Sequence, residues 1–392
     1  MLGLGNNLAR GGVLSGLTNA YSLEFDGTSA YVSVGDTANL SGLSALTISA
    51  WVKPNSVSID QVVCSKSTDV DWDSNSEFQI QLSNDDIMFH IYDIDNDAYL
   101  GRQTTGDEFA IGQWYHIGCT WDGSTTSSGL KIYINGIQTD DSDHASGSGF
   151  ATMRDTATPV LIGARNNDLS ASSKHRFWNG NIDEVAIWNT ALSAGSISNI
   201  YNNRVPTDLL ADSNSANLQG WWRMGDGTLD SFNLIADQVN PTLGSDLASS
   251  LDWNNNGSDP YETLTTSGNS VTEADNTSGW GIASTDTFSL TTGIVYKLVF
   301  DFTLNSGAVP NKVLIAVNSD LGSLQKFIIT GVENGLQTHY FTVDATRTDY
   351  RFGVRENSAT NWSLSALSIK PVNGNPGIMT NMASDDIVKD TP

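Results

Sequence analysis

Three groups of residues have the types and spacing to do chemistry. Asp69, Asp71 and Asp73, followed by Asn75 and Glu77, place oxygen atoms at alternate positions, the way a loop gathers a hard cation such as calcium. The run departs from an EF-hand, with Ser74 where the turn glycine belongs and Ile80 where the bidentate glutamate belongs. Asp93, Asp95 and Asp97 also alternate, and on a strand they would share one face, repelling each other unless water or a cation lies between them. Trp72, Trp280 and Trp362 stand among polar residues, as rings that stack on sugar faces do, with Asn and Asp at hand for hydrogen bonds. Trp51, Trp114, Trp121 and Trp188 are assigned to packing.

Patterns for catalysis are sparse. Asp183 and Glu184 are adjacent, so on a regular strand they point to opposite faces and cannot act on one substrate. The five histidines have no Gly-x-Ser-x-Gly elbow to serve. Cys64 and Cys119 are either buried free thiols or one bridge between neighbouring strands.

These residues sit in a chain of 392 residues with 19 Lys+Arg against 44 Asp+Glu, a formal net charge of -25. Phosphate neutralisation needs clustered cations, so a nucleic-acid binder working through a basic surface is excluded. At 39% hydrophobic and 16% charged residues the chain can build real cores. No apolar run reaches the roughly 18 residues of a membrane span. Residues 1–12 lack the basic start and continuous apolar stretch of a signal peptide.

The elements that must position these groups are strands. Most periodic segments alternate with period two, punctuated by Gly, Asn, Asp and Ser. Phe78, Ile80 and Leu82, a turn at Asn84-Asp85-Asp86, and Ile87, Phe89 and Ile91 predict a hairpin, and Asn135-Gly136 predicts a second tight turn. One short helix is expected after Trp188, capped by Ser193, with Ile197, Ile200 and Tyr201 on one face as a lid. Alternation breaks between about 206 and 256 and resumes in seven or so strands from Phe288 to Ile369. The fold class read from this pattern is all-β, two antiparallel β-sandwich domains of jelly-roll type with one short helix after the first. The expected segments are an arm at 1–20, a sandwich at 21–206, a linker or sealing segment at 207–256, a second sandwich at 257–372 and a C-terminal arm at 373–392.

Five motifs in order carry a family resemblance: Leu23-Glu24-Phe25-Asp26-Gly27, Leu46-Thr47-Ile48-Ser49-Ala50-Trp51, Gln113-Trp114-Tyr115-His116, Tyr133-Ile134-Asn135-Gly136, and Asn181-Ile182-Asp183-Glu184-Val185. From Tyr21 to about Asn203 the chain resembles the concanavalin A-like jelly rolls of the laminin-G-like and pentraxin-like group. The second sandwich is similar, more loosely, to carbohydrate-binding modules through Trp362 to Lys370. The whole arrangement, with its Gly-rich start, resembles laminin-G-like virion proteins of tailed bacteriophages from marine settings.

The resemblance implies a structural calcium near Asp26 and Asp183, where first and last strands meet. The other reading is that Asp26 initiates a turn and Asp183 caps a strand end. Superfamily glycosidases carry Glu-x-Asp-x-x-Glu on one strand, and this chain has no such run. The expectation is a non-enzymatic structural protein on a virion surface, assembled in the host cytoplasm, serving as head decoration, head fibre or tail fibre with weak glycan adhesion. The alternative is a polysaccharide-degrading enzyme or its carbohydrate-binding subunit. Its partners would be other virion proteins, held through the N-terminal arm, host-surface glycans, and further copies of the chain.

Overall fold

In the computed structural model, residues 17–68, 75–106, 108–167, 173–231, 233–255, 263–267, 270–274, 281–317, 325–356 and 360–392 are described. They form two units, and the chain leaves the first and comes back to it: residues 1–239 and 377–392 make unit 1, and 240–376 make unit 2.

Unit 1 is a sandwich of two antiparallel sheets. The first runs β10 (Ile137–Gln138), β9 (Leu130–Ile134), β8 (Tyr115–Trp121), β3 (Leu46–Pro54), β15 (Asn179–Trp188), β1 (Ser22–Asp26), β30 (Ile387–Val388), with β16 (Leu218–Trp222) also pairing β15. The second runs β11 (Ser142–Asp143), β7 (Ala98–Gln103), β6 (Asp86–Asp93), β5 (Phe78–Ser83), β4 (Gln61–Lys66), β12 (Val160–Ile162), β2 (Tyr31–Gly35), β29 (Gly377–Thr380), β17 (Leu234–Ile235). A two-stranded ribbon, β13 (Arg165–Asn166) with β14 (Lys174–His175), is added beside β4. Period-two alternation sends Phe78, Ile80 and Leu82, with Ile87, Phe89 and Ile91, into the core between the sheets. Both expected hairpins form, with positive φ at Asn84 and Asp85 and at Asn135 and Gly136, the left-handed pair that suits strand twist.

The expected helix is α1 (Ala194–Tyr201), where the Ser193 hydroxyl accepts from the Ser196 amide. Ile197 and Ile200 press onto Trp188, Tyr133 and Trp221, sealing the outer face of the first sheet.

One expectation is corrected. Residues 373–392 are not an arm: β29 sits between β2 and β17, and β30 pairs β1. Of the two readings of 207–256, the structure takes the sealing one for β16 and β17, which are strands of unit 1. Long-range pairing of this kind leaves no local trace in sequence, because a short strand carries only alternation.

Unit 2 is a second antiparallel sandwich. One sheet runs β18 (Trp253–Asn255), β21 (Gly281–Thr285), β27 (Arg347–Glu356), β24 (Lys312–Val317), β25 (Gln325–Ile329), with β22 (Phe288–Leu290) beside β27. The other runs β19 (Thr263–Ser267), β20 (Ser270–Ala274), β28 (Thr360–Pro371), β23 (Tyr296–Gly307), β26 (Gly335–Phe341). Tyr296, Leu298, Phe300 and Phe302 alternate into its core against Tyr350, Phe352 and Val354. Among the described residues no helix is long and apolar enough to cross a membrane.

Candidate functional site

The outer face of the second sheet of unit 1 carries a polar row. Register aligns Ser33, Leu161, Ser65, Gln79, His90 and Gly101 across β2, β12, β4, β5, β6 and β7. Their strand neighbours Val32, Ile80, Phe89 and Leu100 point into the core, so the row faces away from it. Chain beyond β11 continues along β7, where His144 N–H donates to Gly101 O at 2.9 Å. Gly101 is what lets it come close, because a Cβ there would stand 2.0 Å from His144 O and 2.7 Å from His90 Cδ2. The His144 and His90 rings meet in a hydrogen bond of 2.8 Å between His144 Nδ1 and His90 Nε2. Burial, then His144 and Arg176, pull His90 down to about 3, so it is neutral at physiological pH.

Over this row lie side chains of the β13–β14 ribbon and the residues that follow it. Arg165 Nη1 donates to Gln79 Oε1 at 3.0 Å, Gln79 Nε2 to Gln81 Oε1 at 2.8 Å, and Arg176 Nη1 to the same Gln81 oxygen at 2.5 Å. Asp60 balances Arg176 at 3.3 Å. One row further on, the partly exposed Tyr31 ring lies 6.4 Å from the Phe177 ring, with Lys174 Nζ 5.6 Å from the Tyr31 centroid. The arrangement thus puts two rings, a lysine and an arginine along one face. Amides, imidazoles and guanidiniums fix polar groups there, and rings supply an apolar platform, the two components of a sugar-binding surface.

A second cluster lies on the first sheet. Asp183 and Glu184 do not point to opposite faces, because Glu184 has φ +49 and a bulge interrupts the β15–β3 register between Asp183 and Ala186. Both are buried together. Asp183 accepts from Asn19 Nδ2 at 2.9 Å and from the Glu184 amide at 2.8 Å. Glu184 accepts from Trp221 Nε1 at 2.6 Å and Arg223 Nε at 3.0 Å. Burial pushes Glu184 up to about 7 despite Arg223, and burial followed by Glu184 pushes Asp183 well above the usual carboxylate range. Glu184 lines a cleft with Ser49, Trp51 and Leu209 whose free volume is about 10 Å³, room for little more than one water. Both carboxylates are already engaged by protein donors.

The remaining sequence candidates distribute as follows. Asp69, Asp71, Trp72, Asp73 and Trp280 lie outside the described residues. Trp362 is 1% exposed and packs on Phe302 at 6.3 Å in the core of unit 2, so its ring offers no face to a ligand. Asp26 accepts from the amides of Thr28, Ser29 and Ala30 and from the hydroxyls of Thr28 and Ser29, the turn-initiating reading. Its register partner is Asn179, four residues before Asp183, about 13 Å away at ~3.3 Å per residue. The two aspartates therefore do not converge on one cation, and among the described residues no three His, Cys, Asp or Glu gather for a metal. Asp93 ends β6 and accepts from the Ala151 and Thr152 amides, while Asp95 and Asp97 lie in the following turn instead of sharing a strand face. Cys64 and Cys119 are free and buried, Cys64 pushed up to about 12 by burial.

Sequence reasoning missed Tyr31, Lys174, Arg176 and Phe177. The alternation Ala30-Tyr31-Val32-Ser33 is the one local signal that could have marked Tyr31 as outward-facing, and its partners arrive from a ribbon far along the chain.

Fold and site together define an antiparallel jelly-roll protein with a polar, aromatic sheet face. Residues 26–198, less than half of the chain, match the Laminin_G_3 model of the concanavalin A-like lectin/glucanases superfamily. No curated protein matches the chain. Among solved structures, a candidate carbohydrate-binding protein from Bacteroides ovatus is 16% identical over 56% of each chain, with a TM-score of 0.41. The CBM40 of the Ruminococcus gnavus IT-sialidase, solved with α2,3-sialyllactose, is 13% identical over 47% of this chain and 98% of that one, with a TM-score of 0.38. A SAP-like pentraxin from Limulus polyphemus is 16% identical over 47% of this chain and 82% of that one, with a TM-score of 0.31.

Proposed function

We propose that the protein is a non-catalytic glycan-binding surface protein, and that its place is the outside of a virion. The observation that carries the glycan reading is the Tyr31–Phe177 platform with Lys174 and Arg176 on the same sheet face. Exposed rings stack on the apolar face of a pyranose while fixed polar groups set its orientation. The virion reading draws on the ordered motifs and Gly-rich start that resemble phage virion proteins. Binding of the intact protein to a glycan array tests the first part, with signal expected for wild type and loss for Tyr31→Ala. Identical weak background for both proteins refutes it. Protein analysis of purified particles tests the second: hundreds of copies mean head decoration, a few dozen or fewer mean a fibre, and none refutes it.

A second reading, a polysaccharide-degrading enzyme, draws on Glu184, a carboxyl held near neutrality as catalytic acids are. Reducing-sugar release that disappears in Glu184→Gln would establish it.

A further inference from the structure

Lys66 ends β4 with its side chain closed to solvent, and two carboxylates meet its ammonium there. Nζ lies 2.8 Å from Asp36 Oδ1 and 3.1 Å from Glu77 Oε1, and the carbonyls of Thr156, at 2.9 Å, and Thr158 also accept from it. The three side chains come from separate places. Asp36 follows β2, Lys66 ends β4 and Glu77 precedes β5. β12 runs between β2 and β4, pairing Val160 with Gly35 and Leu161 with Ser65, so Asp36 and Lys66 stand one residue further on, at the same end of two strands that are not neighbours. Glu77 is held by the Gly42 amide on Oε2 at 2.8 Å and by the Thr156 amide and hydroxyl on Oε1, both at 2.9 Å. Burial raises it above the ordinary glutamate range in spite of Lys66, which suits a group that takes and returns a proton. Asp36 is the open member, its side chain 40% exposed against 0% for the other two, and Ser41 Oγ donates to its Oδ1 at 3.0 Å.

We propose that Lys66 and Asp36 condense in the folded chain into an intramolecular amide, with Glu77 carrying a proton between them. Within the ion pair one ammonium proton passes to Asp36, leaving a neutral amine facing a carboxylic acid. Nζ then bonds to Asp36 Cγ, a second nitrogen proton travels through Glu77 to the hydroxyl, and the Cγ–OH bond breaks. One water leaves on the exposed side of Asp36, the third proton stays on the amide nitrogen, and Glu77 is restored. No oxidant or co-reactant is consumed. Two arguments favour the amide over the ion pair. Groups fixed in contact reach effective molarities of roughly 10⁵–10⁸ M, far above the concentration of liquid water, so condensation outcompetes hydrolysis. An amide also carries no charge, which ends the desolvation cost of an ammonium shut away from water. The bond would tie the ends of β2 and β4 across β12 and close the chain from 36 to 66 into a covalent loop, restricting the unfolded state. It is independent of the glycan-binding reading.

Accurate intact mass of the full chain, denatured before measurement, tests this. The wild-type chain is expected to weigh one water less than its sequence, and a chymotryptic digest, cutting after Trp51 between the two residues, to yield the Asp36 and Lys66 peptides joined. Asp36→Ala, Lys66→Arg and Glu77→Gln are each expected to show the full mass and to migrate more slowly than wild type on a denaturing gel. Should either buried variant fail to fold, wild type and Asp36→Ala decide, since Asp36 is partly exposed. A wild-type chain of full mass overturns the inference. So does a water loss that persists in Asp36→Ala, as a succinimide at Asp26-Gly27 would give, and so does an amide found between Lys66 and Glu77. Water loss that continues in folded Glu77→Gln overturns the part given to Glu77.

Discussion

Glu184 Oε1 lies 3.0 Å from Arg223 Nε at a place where both side chains are nearly closed to solvent. A buried ion pair of this kind is costly to break from one side, because the partner is left charged and unpaired. Glu184→Ala is expected to lower unfolding stability by about 3–5 kcal/mol, read from urea denaturation.

The same carboxyl gives a pH dependence of definite sign. An unfolded glutamate titrates near 4.3, whereas here burial raises Glu184 to about 7 and Asp183 in the same direction. Between those values the folded chain holds protons that the unfolded chain has lost, so this contribution is full below about 4.3 and is lost as pH rises through about 7. Melting temperature should therefore fall between pH 5 and 8, and Glu184→Gln should flatten the fall. A slope unchanged in the variant would assign the dependence to other groups.

Asp26 works in the opposite sense, through the backbone amides of its own turn. Partial burial would raise it, but the amides of Ala30, Ser29 and Thr28 outweigh that and hold it below the ordinary carboxylate range. Its contribution is present above about pH 3.9 and disappears on stronger acidification. Asp26→Ala should cost about 1–2 kcal/mol. The loss should be equal in calcium and in chelator; a loss seen only with calcium would mean that a cation is bound there.

Gly101 sets the packing at the polar face of the second sheet. Gly101→Ala forces the His144 backbone away from β7, which should cost about 1–3 kcal/mol. Rearrangement should also break the His90–His144 contact, visible as altered imidazole resonances in NMR. Retention of the wild-type imidazole spectrum would show that the edge adapts in another way.

Ile235 and Gly377 pair directly, so unit 2 leaves and rejoins unit 1 at adjacent points of one ladder. Replacing 240–376 by a short Gly-Ser turn is expected to leave unit 1 folded with a cooperative melt. Removing 377–392 is expected to destabilise it, since Met379 then leaves the core and β2 loses a partner. The reverse ranking in thermal unfolding would contradict this topology.

Local features were legible in the sequence. Asn84-Asp85 and Asn135-Gly136 supply their own left-handed turns, and Ser193 caps its own helix. Features built by distant pairing were not, such as Gly377 entering beside Val32, or Lys174 reaching Tyr31. Trp362 misled for a physical reason. Its neighbours Asn361 and Ser363 are polar because a strand turns them to the other face, so on this pattern polar neighbours mark the tryptophan as the buried member. Asp183 and Glu184 misled because a bulge cancels the alternation on which opposite faces depend.

The seat of β29 between β2 and β17 also sets the order in which the molecule can be finished. On the ribosome β2 is made early, yet its neighbour at Gly377–Thr380 emerges only after unit 2, a delay of some tens of seconds at typical elongation rates of roughly 5–20 residues per second. During that interval β2 has an open edge, while unit 2 is contiguous and free to fold. A nascent chain crowded by its siblings can accept a neighbour's finished β29 in place of its own, and strand exchange between copies is the characteristic error that this topology invites.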